Sequence, residues 1–370
     1  MTLEGKGFFI WQIPNCEGGN ASAIADTAQA AGLAHVLIKI ADGIYPYGFD
    51  VNGVDLVPPV AGALKARGLK VWGWHYVYGN FPTSEANIAV QRMTQLALDG
   101  YVIDAEVEYE DPAKQTAAAT FMTVLRAGLP TTTVALSSFR YPSLHPDVPW
   151  STFLEKCDLN LPQVYWEQAH NPDVQLSRTV AEFADPALVG HIRPLVPAGA
   201  AYGTGSWRST PADITLFLNT AVSLGLTGAN FWSWDYARSP GNTDLWDAVA
   251  QFAWPGPGPL DIVVRFIAAL NSHDSAQVLN LYKLNAGHIT PQRTVVGLED
   301  ISKWYLDLFQ TTLPGAIYTL LSNTGSGSTR TFTWTASTPD GAIADGSDTF
   351  GLKDGLIQYH YTAVTVTPGS

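Results

Sequence analysis

The fourth of eight similar segments reads GYVIDAE over residues 100–106, an apolar run that becomes acidic at its carboxyl end. The other seven runs are rich in β-branched and aromatic residues, and helical stretches rich in Ala and Leu separate them. They span residues 8–13, 35–40, 69–76, 132–137, 161–166, 193–198 and 229–234. Eight strand-helix units in about 250 residues predict an α/β fold, a (β/α)8 TIM barrel. A doubly wound sheet is the main alternative, but no glycine-rich phosphate loop follows the first run.

A segment of alternating Pro and Gly divides the chain, and it reads WPGPGP over residues 254–259. Pro and Gly interrupt both helices and strands, so we expect the barrel at residues 1–254, a linker at 255–259 and a second domain at 260–370. Helical patterns in the second domain cover residues 260–271, 276–284 and 298–309. Strand patterns follow at residues 317–321, 329–337, 343–351 and 356–366. Helices followed by strands predict an α+β domain.

The composition limits the possible partners. Of the 370 residues, 46% are hydrophobic and only 14% are charged, which indicates a large buried core. A net charge of −13 leaves little positive surface for phosphates, so we expect neither nucleic acid nor a membrane as partner. The 12 Trp residues favour a carbohydrate, because indole rings cover sugar faces well. The first residues lack an export-signal pattern, and the localisation stays open.

The acidic end of the fourth run carries the main chemical prediction. Side chains alternate along a strand, so Asp104 and Glu106 share one face, which is the inner face at the mouth of a barrel. Two close carboxylates raise the pKa of one of them, and an acid beside an ionised partner is what glycoside hydrolysis requires. We therefore predict both as catalytic residues. The following acids, including Glu108 and Glu110, are expected to be a solvated loop.

Polar and aromatic side chains near the ends of other predicted strands are the candidate substrate-binding residues, because barrel active sites form there. They are Trp11, Gln12, Lys39, Trp74, His75, Tyr76, Ser137, Gln163, Tyr165, Glu167, Trp232, Trp234 and Asp235. The sequence has no HExxH motif, cysteine cluster, EF-hand loop or GxSxG motif. We therefore predict no metal, no cofactor and no serine nucleophile.

Three of these segments resemble the glycoside hydrolase family 25 lysozymes (muramidases). Residues 35–43, HVLIKIADG, resemble an apolar strand of that family that ends in Lys-Ala-x-x-Gly, and residues 68–76, GLKVWGWHY, resemble its Gly-x-x-Val-Gly-x-Tyr-His-Phe stretch. Asp104-Ala105-Glu106 resembles its Asp-x-Glu pair. The resemblance implies cleavage of a polysaccharide, peptidoglycan or another amino-sugar glycan, with Glu106 as general acid and Asp104 assisting.

The first run departs from that family. The family carries an Asp on its first strand, whereas this chain reads IWQIPN over residues 10–15. The alternative hypothesis is therefore a non-catalytic carbohydrate-binding or scaffold protein on a degenerate barrel.

The second domain resembles the NTF2-like (SnoaL-like) cone fold over residues 259–367, on the order of its elements and the phrase GSDTFGLKDGLI at residues 346–357. The resemblance implies a curved sheet around helices. Its aromatic residues would either line a small-molecule pocket or fill the core, and they are Tyr305, Phe309, Tyr318, Trp334 and Tyr359. We expect an accessory binding role or a homodimer through the open sheet, and no acid-base pair, since Asp345, Asp348 and Asp354 stand in turn-like contexts.

Overall fold

The computed structural model describes residues 3–255, 261–325 and 327–368. They fall into two compact units: unit 1 holds the described residues of 1–222 and 226–256, and unit 2 those of 223–225 and 257–370. Of the predicted linker 255–259, residues 256–259 lie outside the described residues. In the described part of the chain, no helix has the length and apolar character needed to cross a membrane.

Unit 1 alternates strands and helices. Its strands are β1 (Gly5–Ile10), β2 (His35–Asp42), β3 (Tyr45–Pro46), β4 (Lys70–Val77), β5 (Gly100–Ala105), β6 (Thr133–Ser137), β7 (Leu159–Asn160), β8 (Gln163–Val164), β9 (Ala198–Ala200), β10 (Gly203–Thr204), β11 (Trp207–Arg208) and β12 (Gly228–Trp232). Its helices are α1 (Ala21–Ala30), α2 (Val57–Ala66), α3 (Pro82–Leu96), α4 (Gln115–Gly128), α5 (Trp150–Lys156), α6 (Pro172–Phe183), α7 (Pro186–Val189), α8 (Pro211–Ser223), α9 (Trp234–Ala237) and α10 (Thr243–Gln251).

The main sheet of unit 1 is parallel and curled into a half-barrel. Its order is β7-β6-β5-β4-β2-β1-β12-β9-β8, and the short β3 adds antiparallel to β2. The first strand therefore lies between β2 and the last strand, β12. This arrangement places the carboxyl ends of all the parallel strands at one edge, which we call the mouth.

The predicted sixth and seventh strands are displaced. Residues 161–166 were expected to be one strand, but two short strands, β7 and β8, flank Pro162 instead. The seventh strand was expected at residues 193–198 and is found at Ala198–Ala200, after Pro194 and Pro197. Proline has no amide hydrogen to donate to a neighbouring strand, which explains both interruptions.

Side chains alternate between the two faces of each strand, and those on the inner face of the half-barrel are apolar. Phe9, Leu37, Trp72, Trp74 and Val102 belong to one buried cluster on this face, and Tyr76, Tyr165 and Trp232 pack against it. A side chain at Gly100 would place its Cβ 2.4 Å from the Trp72 ring, so glycine is needed there. The inner face is thus filled by large rings, and polar side chains follow only at the mouth.

A buried amine joins the start of β1 to two helix ends. Lys6 Nζ donates to the backbone oxygen atoms of Ala31, Val249, Ala250 and Phe252, at 2.7 to 3.1 Å. These carbonyls lie at the carboxyl ends of α1 and α10, where a positive charge is favourable. Burial nevertheless lowers the pKa of Lys6 to about 8.

The described residues of unit 2 form a curved six-stranded sheet, three α-helices and a π-helical segment at Leu308–Thr312. The strands are β13 (Tyr282–Ile289), β14 (Thr294–Val296), β15 (Ile317–Thr324), β16 (Thr329–Ser337), β17 (Ile343–Lys353) and β18 (Leu356–Thr367), in the order β14-β13-β18-β17-β16-β15. The helices are α11 (Ile262–Asn271), α12 (Ser275–Leu279) and α13 (Leu298–Asp307). The expected helix at residues 276–284 is wrong beyond Leu279, because residues 282–289 pair with β18 as a strand.

Candidate active site

Two carboxylates lie together at the end of β5. Asp104 is the second-last residue of β5, and Glu106 directly follows the strand. The side-chain amide of Gln163 donates from Nε2 to Oδ1 of Asp104 at 2.9 Å and to Oε1 of Glu106 at 2.7 Å. The same nitrogen lies 3.4 Å from Oγ of Ser137. Gln163 of β8 and Ser137 of β6 thus lie beside the two carboxylates at the end of β5.

The surroundings of the pair favour its protonated forms. Burial raises the pKa of Asp104 well above its usual range, and the charge of Glu106 raises it further, against the opposing charge of Lys39. Burial also raises the pKa of Glu106, whereas the hydrogen bond from Gln163 opposes the rise. Two buried carboxylates that share one donor are costly to ionise together. The pair therefore keeps a proton at pH values where an exposed carboxyl group has lost it.

A buried cation lies on the adjacent part of the inner face. Lys39 Nζ is 2.5 Å from Oδ2 of Asp42, and it lies 4.7 and 4.9 Å from the ring centroids of Tyr47 and Trp74. Oδ1 of Asp42 accepts a hydrogen bond from the Tyr78 hydroxyl at 2.8 Å. Sequence reasoning selected Lys39 and Trp74 but missed the other three. Asp42 lies two residues beyond the predicted second strand, and the observed strand β2 extends to it.

Three tryptophans form an aromatic wall at the mouth. The Trp232 ring lies 5.4 Å from that of Trp74 and 6.3 Å from that of Trp11. Trp74 is buried, and its Nε1 donates to the backbone oxygen of Ile10 at 2.9 Å. Trp11 is 44% exposed and Trp232 is half-buried, so these two rings offer surface to a ligand.

Asp235 holds the chain that follows the first strand. Its two carboxylate oxygens accept from the backbone amides of Trp11, at 2.9 Å, and Gln12, at 2.7 Å. The Gln12 side-chain oxygen in turn accepts from Asn15 at 2.9 Å. Asp235 is therefore better described as a positioning residue for Trp11 and Gln12 than as a ligand-binding one.

Tyrosines and further acids complete the rim. The Tyr76 hydroxyl donates to Oε2 of Glu108 at 2.8 Å, so Glu108 does not simply face solvent as expected. Tyr165 is half-buried and lies edge-on to Tyr202, with ring centroids 5.4 Å apart. The hydroxyl of Tyr202 donates to the exposed Glu167. Glu167 thus lies at the outer limit of the site.

The structure does not bring His75 and Trp234 into the site. His75 is fully buried on the opposite face of β4, where its ring nitrogens contact the Tyr101 hydroxyl at 2.8 Å and the Gly43 carbonyl oxygen at 2.7 Å. Burial lowers the pKa of His75 to about 4. Trp234 lies beyond the end of β12, starts α9 and donates from Nε1 to Glu17 in the core. Neighbouring residues of a strand face opposite sides, so His75 points away from the face that carries Trp74 and Tyr76. Trp234 lies after the end of β12, where the alternation of side chains no longer applies.

A hollow of about 320 Å³ adjoins the rim beside Gln12. Its lining is mainly apolar and consists of Gln12, Ile13, Pro14, Pro46, Tyr47, Gly48, Phe49 and Leu56. Most of these residues belong to loops, and sequence reasoning did not select them apart from Gln12. The hollow offers room for an apolar substituent next to the aromatic wall.

Unit 2 contains a buried polar network that sequence reasoning missed. Asp348 lies inside β17 rather than in a turn, and its Oδ2 accepts from Trp334 Nε1 and from His360 Nε2, each at 3.0 Å. Nδ1 of His360 lies 2.5 Å from the Tyr282 hydroxyl. The ring of His288 stacks on that of His360 with centroids 4.4 Å apart. These side chains lie in the core of the unit, with a separate surface cavity of about 230 Å³ nearby that Trp304 and Thr362 help to line.

Comparison with known proteins bears on unit 2. The sequence profile of the SnoaL-like domain family matches residues 263–360. Residues 263–360 form a SnoaL-like domain. This confirms the expected NTF2-like character of the second domain and accounts for its curved sheet around helices. No curated protein matches the chain.

Two solved structures are similar to about a quarter of the chain. A SnoaL-like family protein from Agrobacterium tumefaciens is 23% identical, with 28% of this chain and 94% of that chain covered and a TM-score of 0.26. An NTF2-like protein of unknown function from Mesorhizobium loti is 21% identical, with 28% and 88% covered and a TM-score of 0.25.

Within residues 3–255, 261–325 and 327–368, no group of three or more His, Cys, Asp or Glu side chains is arranged to hold a metal ion. Cys16 and Cys157 are both buried and free.

Proposed function

We propose that unit 1 is a glycoside hydrolase in which Glu106 is the general acid and Asp104 its partner. The observation that carries the proposal is the pair of carboxylates that Gln163 bridges at the mouth of a curled parallel sheet. A general acid must be protonated when it acts, and burial shifts the pKa of Glu106 in the direction that this role requires. Glu106 is also the less buried of the two, so it is the one that can reach a glycosidic oxygen.

The distance between the two carboxylates favours one division of labour. Oxygen atoms that share a single donor, at 2.9 and 2.7 Å, are closer together than the roughly 6.5 to 9.5 Å that inverting glycosidases keep for a water molecule. Glu106 would therefore protonate the leaving oxygen. Asp104 would stabilise the oxocarbenium-like charge or orient a neighbouring acetamido group of the substrate.

The aromatic wall supports a carbohydrate as the substrate. Exposed Trp11 and half-buried Trp232 can pack on the apolar faces of sugar rings, and the apolar hollow beside Gln12 can hold an acetyl group. These features suit an amino-sugar glycan such as peptidoglycan, as the resemblance to the family 25 lysozymes implies.

We propose further that the half-barrel closes into a complete TIM barrel. Single parallel bridges join Phe139 to Gln163 and Asn160 to Leu195, which links the split sixth strand to its neighbours on both sides. Closure would place the carboxylate pair at the mouth of a barrel, the usual position of barrel active sites.

A second candidate is a glycan-binding protein without turnover. The observation that favours it is the absence of an acid from residues 10–15, since the lysozyme family carries an Asp on its first strand. Asp235 lies near this segment, but its carboxylate accepts from the backbone amides of Trp11 and Gln12.

A substitution series tests the proposal. We expect Glu106→Gln to lose at least about 100-fold in release of reducing sugar or in clearing of a peptidoglycan suspension, because general acid catalysis contributes that much. Glu110→Gln, from the same acidic loop, is the matched control and should retain activity. Equal activity of wild type and Glu106→Gln on every glycan tested would refute the assignment. Binding of an oligosaccharide without turnover by wild type would favour the second candidate.

A further inference from the structure

The outer face of the SnoaL-like domain's sheet is lined with hydroxyl groups. On β16, every second residue faces outward, and these residues are Thr329, Thr331, Thr333, Thr335 and Ser337. Phe332, Trp334 and Ala336 between them point into the core of the unit, so the face presents one threonine after another along the strand.

The hydroxyl groups continue across neighbouring strands in register. Two cross-strand rows carry a hydroxyl on each of three strands, Thr324-Thr331-Thr349 and Ser322-Thr333-Ser347. Within these rows, Ser322 Oγ lies 2.6 Å from Thr333 Oγ1, and Thr331 Oγ1 lies 3.3 Å from Thr349 Oγ1. These contacts fix several hydroxyl groups at regular positions on the surface.

A third cross-strand row is also polar and has a single charged residue. It contains Thr319, Thr335, Asp345 and Thr365. In the three rows, all of which lie in the described part of the chain, Asp345 is the only charged residue. Solvated sheet surfaces normally carry interspersed charges that prevent association, so a broad face with so few charges is unusual.

Two tyrosines border the rows on β18. Tyr361 pairs with Thr349, and Tyr359 pairs with Gly351 on one side and Gly287 on the other. A Cβ at Gly351 would lie 3.4 Å from the Tyr359 ring, so the ring extends over the space that a larger residue would occupy. Both tyrosines are about half exposed. The face thus combines ordered hydroxyl groups with two accessible aromatic rings.

We propose that this face binds a neutral polysaccharide chain. Hydroxyl side chains both donate and accept hydrogen bonds, as sugar hydroxyls do, and the tyrosine rings can pack on the apolar side of a pyranose. The rows lack the cations that an anionic polymer would require. A second copy of the chain is a poorer fit, because the cores of protein interfaces are more apolar and poor in serine. The choice of a glycan rests in part on the function proposed for unit 1.

Binding to insoluble glycan particles tests the proposal. The full-length Glu106→Gln protein is incubated with cellulose or chitin particles and the unbound fraction is measured, so that turnover does not consume the ligand. We expect retention on at least one of them, and the double variant Tyr359→Ala/Tyr361→Ala or the single variant Thr333→Lys should bind at least about tenfold more weakly. Tyr361→Phe and Thr333→Ser should keep wild-type retention. Leu306→Lys, which places the same new charge on the exposed side of α13, should do so as well.

Several outcomes overturn the proposal. Failure of the starting protein to bind either particle, or unchanged retention of the tyrosine double variant with native circular dichroism, would overturn it. A wild-type dimer in sedimentation equilibrium that Thr333→Lys dissociates would assign the face to a second copy instead. Turnover of a soluble oligosaccharide by wild type is measured separately. Failure of the Glu106→Gln protein to bind the particles, while wild type turns over the oligosaccharide, counts against this surface alone. Particle binding by a protein whose wild type shows no turnover counts against the function proposed for unit 1 alone.

Discussion

At the scale of single residues, the carboxylate pair links function to a cost in stability. Burial and Glu106 raise the pKa of Asp104 in the folded protein above its value in the unfolded chain. The folded state therefore binds a proton more tightly, and this residue's contribution to the free energy of unfolding falls as the pH rises above about 4. We expect Asp104→Asn to stabilise the protein by about 1 kcal/mol or more at pH 8 and by nearly nothing at pH 4.

Thermal unfolding of wild type and Asp104→Asn between pH 4 and pH 8 measures this difference. Asp111→Asn, at an exposed position in the same acidic segment, serves as control. A gain that does not grow with pH would mean that Asp104 carries no ionisation penalty in the folded protein.

For His288 in the SnoaL-like domain, we expect stability to change with pH in the opposite direction. Burial, followed by the charges of His360 and Arg293, lowers the pKa of His288 to about 2. Among the described residues, neither ring nitrogen of His288 has a hydrogen-bond partner. The unfolded chain therefore binds the proton more readily, and stability is lost as the pH falls below about 6.5, by up to about 1.4 kcal/mol per pH unit.

We expect His288→Phe to reduce this acid sensitivity, as measured by urea unfolding at pH 7 and pH 5. His273→Asn removes an exposed imidazole from the same unit and should leave the sensitivity as it is in wild type. An equal loss of stability in wild type and His288→Phe would locate the acid-sensitive group elsewhere.

At the scale of elements, Lys6 ties the first strand to the ends of α1 and α10. We expect Lys6→Met to lower the free energy of unfolding by about 1 to 3 kcal/mol, because four buried or partly buried carbonyls lose their donor. Lys70→Met, at a half-exposed position on β4, should change it by less than about 0.5 kcal/mol. Urea unfolding compares the two, and equal effects would show that the contacts of Lys6 contribute little.

Strand periodicity explains which elements and site residues could be predicted. The repeat of two residues along β5 places Asp104 and Glu106 on one face without knowledge of the rest of the fold. His75 was selected for its place near a strand end, whereas the same repeat places it on the face opposite to Trp74 and Tyr76. Periodicity failed at β7 and β8 because Pro162 interrupts the strand. Asn285 and Gly287 weaken the strand pattern of β13 in the sequence, and its pairing with β18 is seen only in the structure. The contacts of Asp42 and Tyr47 depend on loops whose paths periodicity does not determine.

At the scale of the whole molecule, the two compact units predict separable behaviour. We expect a fragment of residues 1–256 to fold alone. Under the function proposed for unit 1, its rate on a soluble oligosaccharide would equal that of the full chain, and its binding to an insoluble glycan would be weaker. Calorimetry of the fragment and of the full chain, together with kinetics on both kinds of substrate, would measure this. An insoluble fragment beside a soluble full-length protein would mean that unit 1 depends on the remaining chain.

The carboxylate of Asp235 has an evolutionary consequence. It fixes the path of the chain at Trp11 and Gln12 through backbone amides alone, so the path does not depend on which side chains stand there. Position 12 can therefore change by mutation without disturbing its own anchor. A lineage with this anchor can exchange the side chain at position 12 at little cost in stability, and a library built at Gln12 would sample the same freedom in the laboratory.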